Sequence, residues 1–155
     1  MGFLRGVKAM SLLLLATGAL VVAMIGTAET TTDSFIVIVN SSVAGTSVHR
    51  ADLAAVFLKK ALRWGDGSPA NPVDQSGASP VRKVFSETVL QMPVMAVVQY
   101  WGRQVASLAA SMKPPTVKGS DYDVLVYIGK TSGAVGYVSS GTALPPGVKA
   151  VTISD

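Results

Sequence analysis

Apolar positions along this chain recur with two different periods, and the alternation between them predicts a mixed α/β domain. Phe35-Ile36-Val37-Ile38-Val39 is an unbroken, mostly β-branched run. Its shortness and branching predict a strand buried on both faces, in the centre of a sheet. Asn40 to Thr46 reads as a loop. From Ser47 the period changes: Leu53, Val56 and Phe57 share one helical face, Ser47 is a capping residue, and Asp52 early with Lys59 and Lys60 late suits the helix dipole. Arg63-Trp64-Gly65-Asp66-Gly67-Ser68-Pro69 then ends the unit in a tight turn. Asn71 to Asp74 predicts a short strand. Pro80 to about Leu90 predicts a helix with Val81, Val84, Phe85 and Thr88 on one side, broken at Met92-Pro93. A further helix runs to about Ala110, with Val94, Val97, Val98, Trp101 and Val105 at helical spacing.

The last third continues the alternation. Lys113-Pro114-Pro115-Thr116 is a stiff linker. Ser120 and Asp123 make a capping-box pair ahead of Leu125-Val126-Tyr127-Ile128, with Gly129 as the C-cap. Ala134 to Val138 predicts a buried strand in which Gly136 permits a close approach. Pro145-Pro146-Gly147 turns the chain into a last strand, Val148 to Ile153. No internal repeat is present. The predicted fold class is an α/β sandwich with a mixed sheet flanked by helices.

The N-terminus changes the reading of charge. Arg5 and Lys8 precede an apolar stretch, Met10 to Ile25, interrupted by Ser11, Thr17 and Gly18, and Gly26-Thr27-Ala28 supplies small residues before Glu29. This is the pattern of a cleaved export signal over residues 1–28. A run of about sixteen apolar residues is short for a hydrocarbon core of about 30 Å; the alternative is an uncleaved anchor over residues 10–25. Residues 29–34 are then a polar, mobile mature N-terminus and 35–155 a single domain, placed in the periplasm. Removing Arg5 and Lys8 from the 13 basic residues leaves 11 against 9 acidic ones, a mature charge of about +2. No basic tract with interleaved aromatics points to nucleic acid. There is no cysteine, so disulfides and thiol chemistry are excluded.

Candidate chemistry concentrates between the predicted strand at 71–74 and the helix at Pro80. Ser76, Gly77, Ala78 and Ser79 form a Ser/Gly loop opening that helix, a small nest of amides and hydroxyls suited to an oxyanion. Arg82, in the first turn, could clamp such an anion through a bidentate contact. The bland reading is an ordinary capped helix start with a solvated arginine, since every helix start exposes unsatisfied N–H groups. Asp74 reads as a turn carboxylate bonded to its own loop amides. His49 is the single histidine, so no multi-histidine metal site can form. No serine sits in a nucleophile elbow and no P-loop lysine pattern is present, so neither an enzyme nor a cofactor is expected.

Four stretches in order resemble the phosphate-type periplasmic solute-binding proteins of ABC transporters, in a short single-lobe form of the type 2 periplasmic-binding fold. They are Ile38-Val39-Asn40-Ser41 leading into Ala51 to Leu58; Arg63-Trp64-Gly65-Asp66-Gly67; Pro72 to Ser79 ahead of Arg82 and Phe85; and Ser132-Gly133-Ala134-Val135-Gly136-Tyr137-Val138. The family's Ser-Gly-Thr segment reads Ser76-Gly77-Ala78 here, so one hydroxyl is missing, with Ser79 as a substitute. The resemblance implies binding of phosphate or a similar small oxyanion at Ser76, Gly77, Ala78, Ser79 and Arg82. It also places Asn40 and Ser41 near the ligand end of the sheet. An ABC permease, a second lobe or a homo-oligomer is the implied partner, because family members bind between two lobes and this chain is too short for both. The competing expectation is a non-enzymatic envelope interaction or structural subunit that keeps one lobe without a ligand.

Overall fold

In the computed structural model, residues 34–107 and 112–155 are described; the expected export signal and most of the polar segment after it lie outside them. Six strands form one sheet: β1 (Phe35–Asn40), β2 (Ser47–His49), β3 (Asn71–Gln75), β4 (Thr116–Lys118), β5 (Ala134–Ser139) and β6 (Val148–Ser154), in the order β2-β6-β1-β5-β3-β4. The helices are α1 (Arg50–Phe57), α2 (Pro80–Phe85), α3 (Val94–Ala106) and α4 (Asp121–Lys130), with a π-helical turn at Ser86–Leu90 continuing α2.

β1 is central, as its apolar run predicts, but its direction sets it apart. It pairs antiparallel with both β5 and β6, whereas β3 is parallel to β5 and β4, and β2 is parallel to β6. Five strands therefore share one direction and β1 alone opposes them. Pleating splits the core in two. Val37, Val39, Val135 and Tyr137 face α1, α2 and α3, meeting Leu53, Phe57, Phe85, Val97 and Trp101. Ile38, Ala134 and Val138 face the other way, onto Val124 and Ile128 of α4. The first core centres on aromatic rings: Phe85 stacks on Tyr137 with centroids 3.9 Å apart, and Phe57 lies 4.7 Å from Phe85.

Gly136 allows α4 to lie close to the sheet. A Cβ there would stand 2.7 Å from Val73 Cγ1 and 3.0 Å from Val124 Cγ1, which identifies the close approach expected of this glycine.

Several elements differ from their sequence-based expectation. Ser47 does not cap a helix: Ser47–His49 is an edge strand on β6, and α1 begins only at Arg50 with His49 as its N-cap. The π-helical turn moves the buried face of its helix. A constant 3.6-residue period would carry Val81, Val84 and Phe85 on to Thr88, but the wider turn exposes Thr88 and buries Ser86, Val89 and Leu90. In α3 only Val97 and Trp101 are buried, while Met95, Val98 and Val105 are more than half exposed. Gly129 lies inside α4, whose C-cap is Thr131. The stretch 113–116 leads into β4, an edge strand paired with β3. The Ser120 cap is as expected: its Oγ accepts a bond from the Asp123 N–H at 3.2 Å and donates to the Asp123 carboxylate at 2.8 Å.

Candidate functional site

Three parallel strands, β4, β3 and β5, end side by side, and the loops that follow them meet in a shallow hollow of about 370 Å³. Open α/β sheets place ligands at this carboxyl end. The β3–α2 loop supplies Ser76, Ala78, Ser79 and Pro80; the β4–α4 loop supplies Gly119, Ser120 and Asp121; β5 supplies Ser139. The Ser76 N–H donates to the Lys118 carbonyl at 2.9 Å, which ties the two loops together. Gly77 and Ala78 are exposed, and among the described residues the Gly77 N–H has no hydrogen-bond acceptor. Ser79 is the N-cap of α2, but its hydroxyl donates to Gln75 Oε1 at 2.8 Å instead of capping the helix.

Beneath the loop lies a buried polar network. The Arg82 guanidinium pairs with Asp74 Oδ2 at 2.7 Å and donates to the Gln75 carbonyl at 2.5 Å. Both side chains of the ion pair are more than nine-tenths buried. The Tyr137 hydroxyl donates to Asp74 Oδ1, and that same oxygen accepts from the Gln75 N–H at 2.9 Å. Gln75 Nε2 reaches Asp121 Oδ1 at 2.7 Å and the Tyr137 carbonyl at 2.9 Å. Burial pushes the Asp74 carboxyl above the usual range, while the Arg82 charge and the bonds from Tyr137 and Gln75 pull against it. Burial, and then the Asp74 charge, push the Tyr137 phenol far up, so it remains a donor. For Asp121 burial acts upward too, but the bonds from Ser139, Gln75 and Thr142 outweigh it and hold the carboxyl below its ordinary value.

The structure gives Arg82 a buried placement beneath the loop. It is not a solvated arginine, and it does not line the hollow: its charge is engaged by Asp74 and by the carbonyl at the root of the Ser/Gly loop. Asp74, expected as a loop carboxylate, is the buried partner in that pair.

Asn40 and Ser41 do not join Ser76 to Ser79. Because β1 runs against its neighbours, its last residues lie beside the start of β5 and β3, at the opposite end of the sheet from the hollow. The buried Asn40 amide donates to the Ile128 carbonyl at 2.7 Å and accepts from the Ser42 N–H at 2.9 Å, so it caps the end of α4 and closes its own loop. Ser41 is exposed at that far end, its N–H bonded to the Gly147 carbonyl.

Gly119, Asp121 and Ser139 also enter the hollow, although no sequence motif marks them, and Ser120 joins them besides capping α4. Their one available signal was the strand–loop–helix form of 116–121, which becomes informative once β4 is known to lie parallel to β3. Among the described residues no group of three acidic or histidine side chains is placed to hold a metal ion, and no helix is long and apolar enough to cross a membrane.

No protein-family model and no curated protein matches the chain. Solved structures do. An ABC-type phosphate transport receptor from Vibrio cholerae superposes with a TM-score of 0.58 at 17% identity, over 79% of this chain and 48% of the receptor. PstS from Borrelia burgdorferi gives 0.59 at 14% identity over 79% and 48%. A putative phosphate ABC transporter substrate-binding protein from Clostridium perfringens, with phosphate bound, gives 0.57 at 15% identity over 78% and 45%. The chain spans about half the length of these receptors. The six-stranded mixed sheet with its flanking helices is thus a fold that the chain shares with about half of each of these proteins.

Proposed function

We propose that this protein is an exported, non-enzymatic binding module that holds phosphate or a similar small oxyanion in the hollow between the Ser76–Ser79 loop and the β4–α4 loop. A second wall comes from a partner: another copy, a separate lobe or a permease. The observation that carries this reading is the exposed Gly77-Ala78 backbone at the carboxyl ends of three parallel strands, in a fold shared with phosphate receptors. The Gly77 amide and the Ser76 hydroxyl are the direct donors; the Ser79 hydroxyl must first leave Gln75. Arg82 acts from beneath, fixing the root of the loop through Gln75. Charge narrows the ligand. Among the described residues the hollow is lined by one carboxylate, Asp121, and by no cation. An anion that brings its own proton can donate to that carboxylate, whereas a fully deprotonated one is repelled, so hydrogen phosphate fits better than sulfate.

Isothermal calorimetry of the purified protein with phosphate, and with sulfate as the control, tests this. The expected result is saturable one-site binding of phosphate, weaker binding of sulfate, and a loss of about tenfold in Ser76→Ala, the size of one charge-assisted hydrogen bond. No heat with either anion from a folded protein would overturn the reading.

A further inference from the structure

A second pocket, of about 420 Å³, opens where the end of α1 and the segment before β4 meet the first residues of β3. This is the end of β3 away from the hollow. Its volume lies in the range of small-molecule sites. Among the described residues two lysines, Lys59 and Lys113, line it, and no acidic residue does. Among the described residues neither lysine has a carboxylate within salt-bridge distance. The rest of the wall is mixed: Leu62, Met112 and Tyr127 with two prolines offer apolar surface, and Asn71 and Thr116 offer polar groups. Leu62 is 60% exposed.

Lys59 is placed there by the end of α1. It follows the C-cap of α1 with φ +56°, a left-handed position that helices ordinarily give to glycine. Burial alone lowers its ammonium group from the usual value, with no neighbouring charge to offset the effect. The left-handed residue itself is accounted for by helix termination, since the Lys59 N–H bonds the Val56 carbonyl at 3.1 Å and the Lys60 N–H the Ala55 carbonyl at 2.8 Å. What stability does not account for is two lysines on one pocket wall with no carboxylate beside them, a concentration of positive charge that an anionic ligand would neutralise.

We infer that this pocket binds a small organic anion, its acidic head between Lys59 and Lys113 and its apolar body against Leu62, Met112 and Tyr127. The head can be a phosphate ester or a carboxylate; both offer oxygens to two ammonium groups. Inorganic phosphate lacks the body and is a poor occupant. The site is independent of the oxyanion hollow: one can be empty while the other is filled.

The test is an NMR titration of the 15N-labelled protein with phenyl phosphate, benzoate and inorganic phosphate in separate arms. Phenyl phosphate or benzoate should shift the Lys59, Leu62 and Lys113 amides saturably, and whichever binds more tightly identifies the head. Inorganic phosphate at the same concentration should leave these amides unmoved. The double variant Lys59→Gln/Lys113→Gln should weaken binding at least about tenfold. Lys59→Gly, which removes the cation and relieves the left-handed backbone, provides the same test should the double variant fail to fold. Unmoved pocket amides in both organic arms, shifts confined to residues 76–79, or unchanged affinity in the lysine variants would overturn the inference.

Discussion

Replacing Arg82 by methionine separates a structural arginine from a ligand clamp. The side chain is buried, its guanidinium 2.7 Å from Asp74 Oδ2, and it supplies the donor to the Gln75 carbonyl. Methionine keeps much of the volume and removes the charge. Asp74 is then left buried without its counter-charge, a change that typically costs about 3–5 kcal/mol. Tyr137 and the Gln75 N–H still donate to Asp74, so the lower half of that range is expected, about 3–4 kcal/mol at pH 7.5. At about 4 °C per kcal/mol for a domain of this size, Tm should fall by about 12–16 °C. The pH dependence has a definite sign. The Asp74 carboxyl is already raised by burial, and losing the Arg82 charge raises it further above its unfolded value. The folded variant then binds more protons than the unfolded chain, so its stability increases as pH falls toward that raised pKa. The deficit relative to wild type should therefore shrink between pH 7.5 and pH 5. Urea unfolding at both pH values, with Asp74→Asn/Arg82→Met closing a double-mutant cycle, measures each quantity. A loss below about 1 kcal/mol at pH 7.5 with full loss of phosphate binding would refute the structural role and return Arg82 to the ligand.

Three further predictions bear on other elements. Gly136→Ala should destabilise by about 1–3 kcal/mol through overpacking against Val73 and Val124, read as a lower urea midpoint with unchanged slope. Gln91→Gly should stabilise by about 0.5–1 kcal/mol, because Gln91 ends the π-helical turn at φ +53°, where only glycine is unstrained; calorimetric Tm checks it. Asp121 has a carboxyl held low, so its contribution is present above the usual carboxylate range and lost as pH falls through the lowered value. Asp121→Asn should consequently flatten the acid limb of the stability profile below about pH 4, and an unchanged limb would contradict the hydrogen-bond assignment.

What the sequence disclosed depended on whether the determining contact was local. β1 is legible because five apolar residues in a row have few other uses, and the Ser120–Asp123 cap because it is complete within four residues. β2 is not: Ser47-Val48-His49 contains one apolar residue and is a strand only because β6 offers an edge. The widened turn at Ser86–Leu90 leaves no mark in a 3.6-residue pattern, so Thr88 was placed inward and Val89 and Leu90 were missed. Arg82 could not be placed without knowing that Asp74, across the loop, and Tyr137, far along the chain, converge beneath it. The resemblance implies Asn40 at the ligand end, but β1 runs against its neighbours and carries it to the opposite end. Strand direction is a property of the sheet, and β1 is the one strand that opposes the rest.

That lone antiparallel strand also decides how the lobe can be wired into a longer chain. β1 and β6 are hydrogen-bonded neighbours, with Val37 opposite Val151 and Asn40 opposite Val148, so the first residues of β1 emerge beside the last residues of β6. The lobe is topologically a loop that enters and leaves through one door. A short linker could join Asp155 to Ser34, and the ring could be reopened at the exposed Asp66-Gly67 turn without breaking a strand or either core. The same geometry lets the whole unit be inserted into a host loop with its hollow carried along intact.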